Sequence, residues 1–146
     1  MVRIEGGFSV KVKTGKEVIR DSSKRGSDVI KGVAGALDEA EYRTKIDELI
    51  HERGISQRQL SEITGIQLSY LSDFILGKTS TINKTHLLAL MAVLRVDSIE
   101  DIIEIRLPDK IKKEFEEDRE DWISTQTIPE GVAKLAHKAT AIRLLQ

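Results

Sequence analysis

The stretch GISQRQLSEITGIQLSYLSDFILGK, residues 54–78, decides the fold. Ser56 is a good N-cap residue, and Gln59 three positions later completes a capping-box pattern, so a helix starts there. Leu60 and Ile63 form its inward stripe. Gly65 supplies the permissive backbone for a chain reversal. Ile66, Tyr70, Leu71, Phe74 and Ile75 follow at spacings of three and four, the period of a second amphipathic helix. Gly77 closes it as the residue after the cap. Two short helices at this spacing, the second with a polar outer edge, are the usual frame for placing a helix in the DNA major groove.

Working outward, YRTKIDELIHERG precedes the pair as a helix with Ile46, Leu49 and Ile50 inward, stopped by Gly54. Asn83 caps a helix over residues 84–96, whose core contacts are Leu87, Leu90, Met91 and Leu94. Leu88, Ala89, Ala92 and Val93 are apolar too, so this helix is hydrophobic nearly all round and is expected to be covered on more than one side. A terminal extension or a second subunit would supply the cover. Ser98 with Asp101 caps a fifth short helix, with Ile99, Ile102 and Ile103 inward.

Residues 41–107 resemble the Cro/CI-type helix-turn-helix family of phage and bacterial regulators. The S-Q-x-x-L opening at Ser56, the Gly65-Ile66 turn, the L-S-x-x-x-x-G-K ending at Lys78, and THLLALMAVLRV followed by SIEDII carry the likeness. The resemblance implies an all-α, five-helix, lambda-repressor-like DNA-binding domain over residues 40–107. The chain departs from the family at Gln67, where a small polar residue is usual, and at Ile75, where a glutamate is frequent. The first weakens the N-cap of the recognition helix, and the second removes a charge that often braces the domain.

The resemblance also implies the site. Gln57 matches the glutamine that contacts phosphate, helped by the N–H groups and positive dipole end of its helix, and Arg58 adds charge. Gln67, Leu68, Ser69, Ser72 and Asp73 match the positions that face the groove. A Gln67 amide suits adenine, Ser69 or Ser72 suits several base edges, Leu68 a thymine methyl and Asp73 a cytosine amine. Tyr70 straddles core and backbone, its hydroxyl within reach of a phosphate. In GKTSTINK, the residues Lys78, Thr79, Ser80, Thr81, Asn83 and Lys84 suit the sugar–phosphate rail. Lys11, Lys13, Lys16, Arg20, Lys24 and Arg25 form a basic arm that is a candidate for tracking a groove.

The extensions read differently. Residues 1–39 hold Gly6, Gly7, Gly15, Gly26, Gly32 and Gly35, and FSVKVKTGKEVIRD alternates Phe8, Val10 and Val12 before Thr14-Gly15. That pattern fits a short hairpin or a flexible arm. After a cap at Ser27, VIKGVAGALDEA places Val29, Ile30, Val33, Leu37 and Ala40 at helical spacing. Pro108 punctuates the end of the central module. Residues 108–146 form a two-helix extension. DKIKKEFEEDREDW carries Ile111, Phe115, Trp122 and Ile123 on a narrow apolar edge, and its acidic run is a solvated face or a docking surface for a basic partner. Thr127 and Glu130 form a capping box ahead of a last helix with Val132, Leu135, Ala136, Ala139 and Ile142 in one stripe. Such helices suggest dimerisation, with Leu88, Ala92, Trp122 and Leu135 as candidates.

Composition narrows the function. The chain has 146 residues and a net charge of −1, so non-specific affinity for DNA should be modest and a paired site important. It has no cysteine, hence no disulfide, thiolate metal site or thiol nucleophile. His51, His86 and His137 lie far apart, without metal spacing; no nucleophile elbow or phosphate loop is present. Neither enzyme activity nor a metal or other cofactor is expected. The apolar run at residues 87–94 is too short for a bilayer, and the N-terminus lacks a signal core. The expectation is a cytoplasmic, nucleoid-associated regulator: a dimeric repressor of double-stranded DNA at a pseudo-palindromic operator. The alternative is an antitoxin or anti-regulator whose helix-turn-helix presents a surface to a toxin or another regulator.

Overall fold

The computed structural model describes residues 2–5, 8–21 and 28–146. Its core forms where the apolar spacing is densest. Ile46 and Ile50 of α3 (Ile46–Glu52), Leu60 of α4 (Gln57–Thr64) and Leu71, Phe74 and Ile75 of α5 (Leu68–Ile75) meet Leu90 and Leu94 of α6 (Lys84–Leu94). Ile66 and Ile102 complete the cluster, and Leu49, Leu87 and Met91 pack on its margin. Ile75, where a family charge is absent, sits inside the core; its carbonyl accepts from the buried Thr44 hydroxyl at 3.0 Å.

The domain is not all-α. Strand β4 (Glu41–Thr44) precedes α3 and pairs antiparallel with β5 (Ile103–Arg106), in the register Tyr42↔Ile105, Arg43↔Glu104, Thr44↔Ile103. Strand β3 (Lys13–Thr14) adds to the other side of β4, giving the order β3-β4-β5. The expected fifth helix is therefore a 3-10 turn (Ile99–Asp101), capped by Ser98, that leads into β5. Ile102 is buried as expected, whereas Ile99 is exposed. The reason lies in the sequence IEIR, whose alternation has the period of a strand. YRT likewise belongs to β4 and not to the helix after it.

Charge holds this sheet to α3. The buried Arg43 guanidinium bridges Glu48 on α3 and Glu104 on β5, the latter at 3.1 Å, and Lys45 reaches Glu104 at 3.3 Å. Burial alone would raise the Glu104 carboxyl, but its hydrogen bond to Lys45 and the charges of Arg43 and Arg106 outweigh that and hold it below the usual value.

In the N-terminal part, β1 (Val2–Glu5) and β2 (Phe8–Lys11) pair antiparallel, with Val2 opposite Lys11 and Glu5 opposite Phe8. A hairpin exists, but its strands flank residues 6 and 7, and Thr14-Gly15 leads into helix α1 (Gly15–Asp21). A Cβ at Gly15 would lie 1.7 Å from the Leu37 carbonyl oxygen, so glycine is needed where the chain crosses. Helix α2 (Asp28–Ala34) is short and continues as a 3-10 turn (Gly35–Leu37). Of its expected inward positions, Ala40 is buried while Val29 and Ile30 are exposed. The expected cap at Ser27, along with Gly6, Gly7, Lys24, Gly26 and Arg25, lies outside the described residues.

The C-terminal part departs most. Helix α7 (Asp109–Thr125) forms as expected after Pro108, yet none of its residues is buried. The last helix is broken into α8 (Glu130–Ala133) and α9 (Lys138–Leu144). Pro129 is the N-cap of α8 and no side chain caps it, so the box expected between Thr127 and Glu130 does not form. Proline at that position moves the helix start to Glu130, which puts the glutamate at the first turn's opening and out of box geometry.

Candidate nucleic-acid interface

The start of α4 is built by its capping box. The Ser56 hydroxyl accepts from the Gln59 N–H at 3.1 Å, and the Ser56 N–H donates to the Gln59 side-chain carbonyl at 2.9 Å. This fixes the first helical residue, Gln57, at the positive end of the helix dipole. Its amide is then held from two sides. The Nε2 group donates to Asp47 on α3 at 3.1 Å, and the Oε1 atom accepts from the Ser72 hydroxyl on α5 at 3.1 Å. One amide hydrogen is used by Asp47; the second is the donor available to a phosphate oxygen.

The turn between the helices is a local hydrogen-bond circuit. Gly65 takes φ 81°, where other residues are strained, and its N–H donates to Ser61 at 2.9 Å. The Thr64 hydroxyl donates to the Leu60 carbonyl at 2.7 Å and accepts from the Ile66 N–H at 3.2 Å. Ile63, expected inward, is 60% exposed, because Leu60 alone fills the contact of this short helix with the core.

Helix α5 presents two faces. Leu71, Phe74 and Ile75 are buried, while Ser69 and Asp73 are exposed on the other side and Gln67 is exposed at the N-cap. Leu68, Tyr70 and Ser72 are half-buried. Ser72 spends its hydroxyl proton on Gln57, so it braces the helix pair and does not stand free toward a base. Tyr70 sits edge-on to His86, with ring centres 4.8 Å apart. Gln67 makes no cap hydrogen bond, as its departure from the family pattern implied. The first N–H groups of α5 are thus left to solvent or to an anion beside the exposed Gln67 amide.

Behind α5, the Gly77 and Lys78 N–H groups donate back to Phe74 at 3.0 Å and Asp73 at 2.8 Å, the bonds that close a helix end. They aim the following loop. Lys78, Ser80, Thr81, Asn83 and Lys84 are exposed there and Thr79 is half-buried. The Asn83 side-chain Oδ1 accepts from the Thr85 N–H at 2.9 Å and the His86 N–H at 3.2 Å, so Asn83 caps α6 as expected while its NH₂ group remains a donor. Arg58 is exposed next to Gln57.

Asp47 and His86 are partners that sequence reasoning missed. Asp47 lies ten positions before Gln57 and reaches it only because α3 and α4 pack; no local pattern marks it. The dimerisation candidates fall on two surfaces. Leu88 and Ala92 are exposed on α6, while Trp122 and Leu135 line a groove between α7 and the segment that follows it.

Residues 45–107 hold seven Lys and Arg against nine Asp and Glu. Any affinity for DNA therefore comes from a few placed donors and not from a broad basic field. Among the described residues no helix is long and apolar enough to cross a membrane, and no group of three or more His, Asp or Glu is placed to hold a metal ion.

No curated protein and no solved structure matches the chain significantly. Residues 45–107, which hold the helix pair, its turn and the following loop, match the family model of the Cro/C1-type helix-turn-helix DNA-binding domain.

Proposed function

We propose that the chain is a sequence-specific transcriptional regulator, acting as a dimeric repressor on a pseudo-palindromic operator. One observation carries this reading: Ser69 and Asp73 stand exposed on α5, with Gln67 exposed at its N-cap, while the opposite face of the same helix is locked in the core. In that arrangement α5 enters the major groove. The Gln67 amide pairs with adenine, Ser69 takes a neighbouring base edge, and Asp73 accepts from a cytosine amine. Gln57 and Arg58 hold a phosphate at the start of α4, and Lys78, Thr79, Thr81 and Asn83 follow the backbone. Two copies place their α5 helices about 34 Å apart, and occupancy excludes polymerase. The role is non-catalytic and needs no cofactor, and its place is the cytoplasm, on the nucleoid when bound.

A gel shift against genomic fragments at two salt concentrations tests this. Retention of specific fragments with a steep salt dependence supports the regulator. The excess of acidic residues in 45–107 and the exposed Leu88 on α6 favour a second reading, a module that captures a toxin or another regulator. In that case no fragment is retained, and a protein partner co-purifies.

A further inference from the structure

Strand β5 stands last in the order β3-β4-β5, and among the described residues no strand pairs with its outer side. The Lys45 N–H donates to the Ile102 carbonyl at 2.8 Å, in line with the register Thr44↔Ile103. Antiparallel ladders alternate, so Ile102 and Glu104 turn their backbone groups to β4, and Ile103 and Ile105 turn theirs away from it. An edge of this kind is a template for another strand. Ile105 is also 61% exposed. An open groove of about 410 Å³, lined by Lys45, Ile99, Glu100 and residues 103–105, lies against the strand.

This edge is self-complementary in one register. A two-fold axis normal to the sheet joins two copies antiparallel and keeps matching faces on one side, so odd positions meet odd and even meet even. Centred on Glu104, the axis sets that carboxylate against itself; centred on Arg106, it sets two guanidinium groups together. Centred on Ile105, it sets Glu104 against Arg106 in both directions, Ile105 against Ile105 and Ile103 against Leu107. Ile105 then forms a hydrogen-bonded pair, its N–H and carbonyl each meeting those of the other copy. On each copy Arg43, Lys45 and Arg106 already reach Glu104, and Glu41 stands opposite Arg106. Pairing therefore adds an acid to a base on both sides of the axis. Pro108, without an N–H, ends the register.

We propose that β5 pairs antiparallel with β5 of a second copy of this chain, about a two-fold axis at Ile105, joining the two three-stranded sheets into one. The pairing gives the dimer of the regulator its contact surface and in that sense rests on the functional reading above. Backbone hydrogen bonds hold the two strands, and the contact at the axis takes Ile105 out of water. The Glu104–Arg106 contacts fix register more than strength. A seam of one short strand is small beside the roughly 800 Å² per partner of a stable complex. The free dimer is accordingly weak, and two half-sites on one duplex raise its effective concentration.

Sedimentation of the full chain without DNA, over a concentration series into the high-micromolar range, is the test. Its outcome is separate from the DNA-binding question, because single half-site binding is measured independently by gel shift. The expected result is a mass that rises from 16.4 kDa toward twice that value. Ile105→Lys sets two ammonium groups at the axis, while its long side chain still reaches water from this exposed position and leaves circular dichroism unchanged. It should weaken self-association at least about tenfold, since the substitution acts from both copies. Leu88→Glu should leave association unchanged. The chain lacks cysteine, so Ile105→Cys and Arg106→Cys report the register, and they decide the matter if the lysine variant does not fold. Ile105→Cys should cross-link to itself under mild oxidation, because paired Cα atoms about 5.5 Å apart lie within disulfide reach. Arg106→Cys, which faces Glu104 of the other copy, should not. A chain that stays monomeric throughout, a folded Ile105→Lys that associates as tightly as the parent, dissociation by Leu88→Glu, or an Arg106→Cys that cross-links as readily as Ile105→Cys would each overturn the proposal.

Discussion

Replacing Gln57 by alanine separates the part this residue plays in the fold from its part in binding. The substitution removes two hydrogen bonds, to Asp47 and from Ser72. Neither partner is deeply buried, so both regain water, and the cost is the net value of two ordinary bonds, about 1–2 kcal/mol. On a domain of this size that lowers the thermal midpoint by roughly 2–8 °C. The loss at the phosphate is larger, because a bond to a charged group contributes about 1.5–3 kcal/mol. Operator affinity should then fall about 10- to 150-fold per half-site. The fall should be uniform across operator variants, since a phosphate contact carries no base information. Equilibrium binding by fluorescence anisotropy against a panel of single-base variants, beside thermal melts, measures both quantities. A Gln57→Ala variant that melts lower but binds as tightly as the parent would refute the phosphate role. One that alters base preference would show that Gln57 faces the groove instead.

Three further outcomes are expected. Ser56→Ala removes the hydroxyl that accepts from the Gln59 N–H and should cost about 1 kcal/mol in a denaturant titration; an unchanged midpoint would mean that α4 does not depend on its cap. Gly15→Ala forces a Cβ onto the Leu37 carbonyl, so this variant should melt lower than the parent while Gly32→Ala, in open space, should not. Glu104 has a folded-state value held below 4.5, so its contribution is fully present above that pH and is lost as pH falls through the lower folded value. Glu104→Gln should flatten this acid limb in a stability–pH profile; an unaltered profile would remove the ion cluster from the account.

The central module is legible in the sequence because its signals are local. The capping box at Ser56 and Gln59, the Gly65 turn and the helix end at Gly77 each span a few residues, and the structure forms all three. The sheet is different. Tyr42 and Ile46 are four apart and mimic a helical stripe, while the pairing that makes 41–44 a strand lies sixty residues away at 103–106. Position alone also hides which polar residues act together. Ser72 looks like any exposed serine until packing brings it to Gln57. On α6, residues apolar on every side give no phase, so the exposure of Leu88 was not readable. The break between α8 and α9 escaped because a continuous apolar stripe from Val132 to Ile142 hid it.

Footprinting of the protein on an operator selected from random duplexes, with and without the pair Gln67→Ala and Ser69→Ala, examines the outer face of α5 itself. Both side chains are exposed, so the melt should move by less than about 0.5 kcal/mol. Affinity should drop by about 1–3 kcal/mol, roughly 5- to 150-fold, with discrimination lost at the base pairs those residues touch. Protection and base preference equal to those of the parent would contradict the account.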